Sequence, residues 1–408
     1  MTKLILAVLV PWFVTTALAQ VPMRGFQIVD STITVSLLTC SPGQEVYELY
    51  GHTALRVQWK EAAGDTIAPR ETVYNYGVFD FNQPHFTWHF TLGECDYIVA
   101  EAPLEYFLYE YAYRGSSVTE QVLDLQPSEA RRLLQMQDSL VRPENRIYRY
   151  DIFRNNCTTK ARDIIEACIN GEVIYPIRPR RNTYRTILKQ FTKGHEWARE
   201  GSDILLGAAA DTLLTERGEQ FAPIYLMQYF DSAFVDRGRT AYSPLVKERR
   251  ELLPINAERQ LLSAAEQTDF PLSPRTLWWL MLGLGLLIGI VEIVRRRVCW
   301  PVDAVLMTAQ GLAGCLVLFM TLCSQHPTVA TNWQVWVLNP LPLFFVYAVV
   351  KADRRRKRSI YHIPFAVWYV TFIALYVFLP QDFSALILPL ALLLLSRALV
   401  HLIIYRRL

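Results

Sequence analysis

Cys157 is the residue whose surroundings best suit a nucleophile. It stands in Arg154-Asn155-Asn156-Cys157-Thr158-Thr159, between a segment that reads as a strand and one that reads as a helix. Before it, Ile147–Phe153 alternates and is rich in aromatic and β-branched residues. After it, Ala161, Ile164, Ile165 and Cys168 recur at helical spacing, and Asn170-Gly171 offers a stop. The pattern puts Cys157 in the first turn of a helix, on its apolar side. Unpaired N–H groups at a helix start carry partial positive charge, which stabilises a thiolate. An ordinary buried cysteine is the plainer alternative.

A thiol nucleophile needs a base. Gly51-His52-Thr53-Ala54-Leu55-Arg56-Val57 reads as a glycine turn entering a strand, with His52 at its start. Glu71–Asp80 reads as a second strand, pairing with the first. Within it Asn75 is a polar residue in an apolar and aromatic run. It is the candidate to hydrogen-bond the His52 ring and hold one tautomer. A water-facing residue on an edge strand is the other reading of Asn75.

A Cys–His pair attacks acyl carbons to give a thioester. With a peptide donor and water the result is a peptidase or amidase; with a lipid ester and an amine it is an acyltransferase. Neither needs a metal or a soluble cofactor. His85 and His89 are four apart, a metal-ligand spacing on a helix. The alternation of Phe86, Trp88 and Phe90 predicts an extended segment instead, so no metal site is expected there.

The elements that position these residues divide the chain in four. Residues 1–19 read as a signal peptide: Lys3, the apolar run Leu4–Val14, and Ala17-Leu18-Ala19 as cleavage site. Residues 20–180 read as an α+β core of five or six strands with helices before and after Cys157, including Pro127–Leu140 and an aromatic helix over Ala102–Tyr113. Glu45–Tyr50 is expected to be a short helix. Residues 181–270 read as a helical subdomain ending in a polar linker, Glu248–Phe270, and this subdomain either covers the site or rests on the membrane.

Five apolar stretches follow within 276–405: Thr276–Val294, Val302–Cys323, Trp333–Val350, Ile360–Leu379 and Ser384–Tyr405. Each is about long enough to span a bilayer. Arg295–Arg297, the run Lys351–Arg358 and Arg406-Arg407 share one side, and the opposite connectors contain no Lys or Arg. The basic side is therefore cytoplasmic, which leaves residues 20–275 outside the cytoplasm. Glu292 and Asp303, near the cytoplasmic ends, are expected to snorkel or pair, and nothing suggests an ion path. A net charge of +3 gives no argument for nucleic acid. Of seven cysteines, Cys40 and Cys95 are the exported pair for which a disulfide is conceivable. Cys157 and Cys168 cannot bridge within one helix.

Taken together, Tyr50–Val57, Tyr74–Phe81 and Asn156-Cys157-Thr158-Thr159 resemble the Lnb family of bacterial lipoprotein N-acyltransferases. The exported domain is similar to circularly permuted papain-like (NlpC-type) enzymes, in which His precedes Cys and to which lecithin–retinol acyltransferase also belongs. The resemblance covers nearly the whole chain. It implies transfer of an acyl chain from phospholipid to the α-amino group of a diacylglyceryl-cysteine lipoprotein at the inner membrane. It gives Cys157 the nucleophile role and His52 the base; Asn75 remains the candidate third member.

Overall fold

The computed structural model describes residues 32–60, 70–79, 84–238, 242–266 and 270–405. The expected signal peptide lies outside them. Among the described residues, ten strands form two sheets. They are β1 (Thr32–Cys40), β2 (His52–Lys60), β3 (Arg70–Val78), β4 (Asp96–Ala102), β5 (Val118–Leu123), β6 (Ile147–Arg149), β7 (Glu172–Ile174), β8 (Phe234–Asp236), β9 (Ser243–Pro244) and β10 (Val246–Leu253). The large sheet is antiparallel with order β10-β5-β1-β2-β3-β4-β6; the small one is β7-β8-β9.

The large sheet is covered on both faces. On one, Val35, Leu37, Leu55, Val57, Tyr74, Tyr76 and Val99 pack under Ala130, Leu133 and Leu134 of the helix Pro127–Leu140 and Ala161, Ile164 and Ile165 of the helix Cys157–Cys168. On the other, Leu38, Cys40, Ala54 and Val73 meet Leu104, Phe107 and Tyr111 of the helix Leu104–Arg114. This alternation along β2 and β3 puts successive residues on opposite faces. His52 and Asn75 therefore share the face of Ala54 and Val73, while Thr53 and Leu55 lie beneath the cysteine helix.

A second helical layer joins the sheet domain to the bundle. Arg185, fully buried on the helix Tyr184–Phe191, pairs with Asp203 at 3.0 Å and Asp211 at 2.8 Å and donates to the carbonyls of Leu206 and Gly207. The helix Glu196–Leu205 then rests on the bundle. Glu200 accepts from Trp278 Nε1 and from the backbone N–H groups of Ala385 and Leu386. Gln334 and Asn332 donate to the carbonyls that end this helix. The subdomain thus sits on the loops that carry no Lys or Arg, as the charge asymmetry requires.

Among the described residues, four helical stretches are long and apolar enough to cross a membrane: Pro274–Arg295, Trp300–Cys323, Trp333–Arg354 and Ile387–Ile404. The expected span at Ile360–Leu379 forms a helix of 14 residues, His362–Leu375. That is about 21 Å long against a hydrocarbon core of about 30 Å.

Several local expectations change. Phe86–Leu92 is a helix, with His85 at its N-cap in a left-handed conformation, rather than an extended segment. Phe86 and Phe90 stack on one another while Trp88 stacks on Phe319 of the helix Trp300–Cys323, so aromatics two residues apart meet different partners and mimic a strand's period. Glu45–Tyr50 forms turns, and β6 stops at Arg149. Val246–Leu253, expected from Glu248 onward to be linker, is an edge strand of the large sheet. Its outward charges, Lys247 to Glu251, hide the pattern. Cys40 and Cys95 are both free thiols.

Candidate active site

Asn156 builds the helix start that carries Cys157. Its Oδ1 accepts from the N–H groups of Thr158 and Thr159, both at 2.9 Å, and Thr159 Oγ1 accepts from the Asn156 N–H at 2.9 Å. Its Nδ2 donates to the carbonyls of Ile152 and Phe221. This reciprocal cap fixes the first turn and the approach of the chain to it. Thr158 Oγ1 lies 3.1 Å from Thr53 Oγ1, which ties the helix start to β2 one residue from His52.

The three residues singled out in the sequence converge. Asn75 sits in β3, between β2 and β4 rather than at an edge, and pairs with Ala54. His52, two residues before Ala54, is its diagonal neighbour on the same face, and His52 Nε2 lies 2.6 Å from Asn75 Oδ1. Since Oδ1 only accepts, Nε2 carries the proton. The ring's other nitrogen, Nδ1, is then left for the Cys157 thiol, the side chain's second hydrogen-bond partner. The Tyr111 ring stacks on His52 at 6.3 Å from the far side.

Electrostatics favour an ion pair. Burial raises the Cys157 thiol, but the His52 charge, its hydrogen bond, the Thr53 backbone N–H and the Thr158 hydroxyl outweigh that and bring it down to about 7. Burial lowers His52, but the facing thiolate and the Asn75 carbonyl oxygen outweigh it and raise the imidazole above its ordinary value. Both shifts act in the direction of a thiolate–imidazolium pair, each charge stabilising the other.

Around the sulfur the sequence reading missed two features. Gly77 has φ +93° at the bulge between β3 and β4, and a methyl group built there would lie 3.8 Å from both Cys157 Cβ and Tyr97 Cδ2. The glycine keeps the space beside the thiol open. From there aromatic rings run toward the bundle. Tyr150 stacks on Tyr97 at 4.0 Å, Tyr97 on Phe79 at 5.0 Å, Phe79 on Phe86 at 5.7 Å and Phe86 on Phe90 at 6.0 Å. Next to Phe86, Trp88 stacks at 5.2 Å on Phe319 of the helix Trp300–Cys323, while Gln325 N–H donates to the Leu92 carbonyl. The only signal in the sequence was the aromatic richness of residues 74–97.

His85 and His89 are not part of this site. His89 lies 3.7 Å from Glu94 on the exposed side of its helix. In the bundle, Glu292 and Asp303 do pair, but with Arg397 of the last span rather than with Arg295–Arg297.

Two family models match the chain. The Lnb N-terminal periplasmic domain matches residues 27–190 and the Lnb transmembrane domain matches residues 265–408. No curated protein and no solved structure matches it.

Proposed function

The chain belongs to the Lnb family, a multi-pass membrane protein with a periplasmic domain, and we propose that it is a lipoprotein N-acyltransferase working through a Cys157 thioester. The observation that carries this reading is the Cys157–His52–Asn75 constellation at a capped helix start, joined to the bundle by a path of aromatic rings. We read residues 20–180 as its catalytic core, of the permuted papain-like kind, residues 181–270 as the helical subdomain, and 276–405 as five spans.

Thiolate Cys157 attacks the carbonyl carbon of a phospholipid ester. A C–S bond forms, and the backbone N–H of Cys157, the first-turn group that the Asn156 cap does not engage, is the donor we assign to the tetrahedral oxyanion. On collapse the ester C–O bond breaks, and His52-H⁺ gives its proton to the departing lysophospholipid oxygen. The α-amine of a diacylglyceryl-cysteine lipoprotein then attacks the thioester. His52 takes the amine's proton, the C–S bond breaks, and the amide leaves with Cys157 again a thiolate. Asn75 holds Nε2–H throughout, so that Nδ1 is the nitrogen that exchanges protons. Water would hydrolyse the thioester, and the rings of Tyr97, Tyr150 and Phe79 restrict its approach.

The test is mass spectrometry of the full-length protein in detergent with phospholipid. An acyl adduct on Cys157 that a diacylglyceryl-cysteine peptide removes as its N-acyl product is expected. No adduct, together with peptide release from cell-wall material, would establish a cysteine peptidase or amidase instead.

A further inference from the structure

One cation close to Cys157 takes no part in the acyl transfer as derived. Lys160 follows Cys157 by three residues on the helix Cys157–Cys168. At that spacing two side chains leave the same face of a helix, with Cβ atoms about 5–6 Å apart. The Lys160 side chain is half-buried, and its Nζ lies 4.3 Å over the ring of Tyr148 in β6.

Lys160 lacks a counter-ion of its own. Burial works against its charge, and the carboxylate whose field supports it is Asp163. That carboxylate is already held by Arg162 at 2.8 Å and by Arg217 at 2.6 Å. The hydroxyl of Tyr148 is also buried with no hydrogen-bond partner. An ammonium and a phenol thus meet at one ring, and neither has an acceptor in the fold. An anionic oxygen is the acceptor that binds an ammonium most strongly.

Strand order places this cation relative to the aromatic path. β4 lies between β3 and β6 in the large sheet. Tyr97 of β4 pairs with Tyr148 of β6 and stacks on Phe79, which directly follows β3. From Tyr97, the rings that lead to the bundle leave on the Phe79 side, and Lys160 stands on the other. Gly77 keeps open the space between Cys157 and Tyr97. An ester that presents its carbonyl carbon to Cys157 and lays its acyl chain along Phe79 and Phe86 has its alcohol half on the Lys160 side. In a glycerophospholipid that half carries a phosphodiester a few bonds beyond the ester oxygen. The acyl chain then points toward the membrane and the headgroup away from it, the orientation the lipid has in a bilayer.

We propose that Lys160 recognises the phosphodiester of the acyl donor, across Tyr97 from the acyl path. This rests on the acyl-transfer reading and adds what selects the donor, a phosphate-bearing lipid over a neutral diacylglycerol. The Tyr148 ring supports the ammonium and the stem that carries it. Lys160 determines specificity: it neither moves a proton nor carries the acyl group.

The experiment is single-turnover acylation of the full-length protein in detergent, read by mass spectrometry of Cys157. Phosphatidylglycerol and diacylglycerol with the same acyl chains are the two donors, and the ratio of their rates is the readout. The wild type should favour phosphatidylglycerol. Lys160→Gln should lower the ratio about tenfold, for the loss of one charge-assisted contact, and Lys160→Arg should keep most of it. Lys160→Met, which leaves an apolar stem on the Tyr148 ring, takes the place of Lys160→Gln should that variant not fold. A purely structural role for Lys160 would lower both rates together and leave the ratio at its wild-type value, which overturns the proposal. A wild type acylated equally fast by both lipids overturns it too, with the acyl-transfer reading intact. No adduct from either lipid overturns the acyl-transfer reading and this proposal with it.

Discussion

His52 and Asn75 are held 2.6 Å apart by strand register: Asn75 pairs with Ala54, and His52 lies two residues before Ala54 on the same face of the sheet. The contact commits Nε2 to Asn75 and leaves Nδ1 for the sulfur. Replacing Asn75 by Ala removes one hydrogen bond that fixes the tautomer. A net hydrogen bond is worth about 1 kcal/mol, so kcat should fall about fivefold, with little change in KM. An Asn75→Ala enzyme at full kcat would show that the contact does not orient the base.

Reactivity toward iodoacetamide should track the Cys157 thiolate. With the thiol lowered to about 7, alkylation should be slow below neutrality, rise through it and level off above. In His52→Ala the charge that lowers the thiol is gone and burial, which raises it, remains. The midpoint must therefore move to higher pH. Mass-spectrometric rate measurements across pH read both curves.

Asn156→Ala removes a cap with two accepted and two donated hydrogen bonds. Loss of an N-cap costs about 1–2 kcal/mol, so the thermal midpoint should drop measurably. Asn156→Asp keeps the acceptor but loses the donors to Ile152 and Phe221. The new negative charge beside the thiol should push its alkylation midpoint upward.

Much of the site was legible from short-range signals. The polar cluster Asn156-Cys157-Thr158-Thr159 before an apolar helical period marks a cap, and Gly51 before His52 marks a turn into a strand. What was not legible depends on distant partners. Asn75 reads equally as an edge residue until β4 is known to cover it. Val246–Leu253 has no alternation of its own because an edge strand has one neighbour and exposes its charges. The helix Phe86–Leu92 was masked by aromatics set by the bundle, not by its own period. Arg397 lay unremarked inside an apolar run, although an arginine in a span is itself a reason to seek its carboxylates.

Phe79→Ser should weaken the use of long-chain phospholipid while leaving alkylation of Cys157 unchanged, because Phe79 bridges Tyr97 and Phe86 without being a hydrogen-bond partner of the Cys157–His52 pair. A severalfold rise in KM for the lipid is expected from the loss of one aromatic contact, worth about 0.5–1.5 kcal/mol. An equal loss with a water-soluble short-chain ester would show that Phe79 shapes the centre rather than the acyl path.

Strand β10 has a practical consequence for anyone who wants the periplasmic half by itself. The homologous segment ends at residue 190, yet the sheet is completed by Val246–Leu253, just ahead of the membrane. A fragment trimmed at 190 would strip β5 of its outer neighbour and bare a row of backbone donors and acceptors, an invitation to stick to other chains. One carried through residue 266 keeps that rim closed.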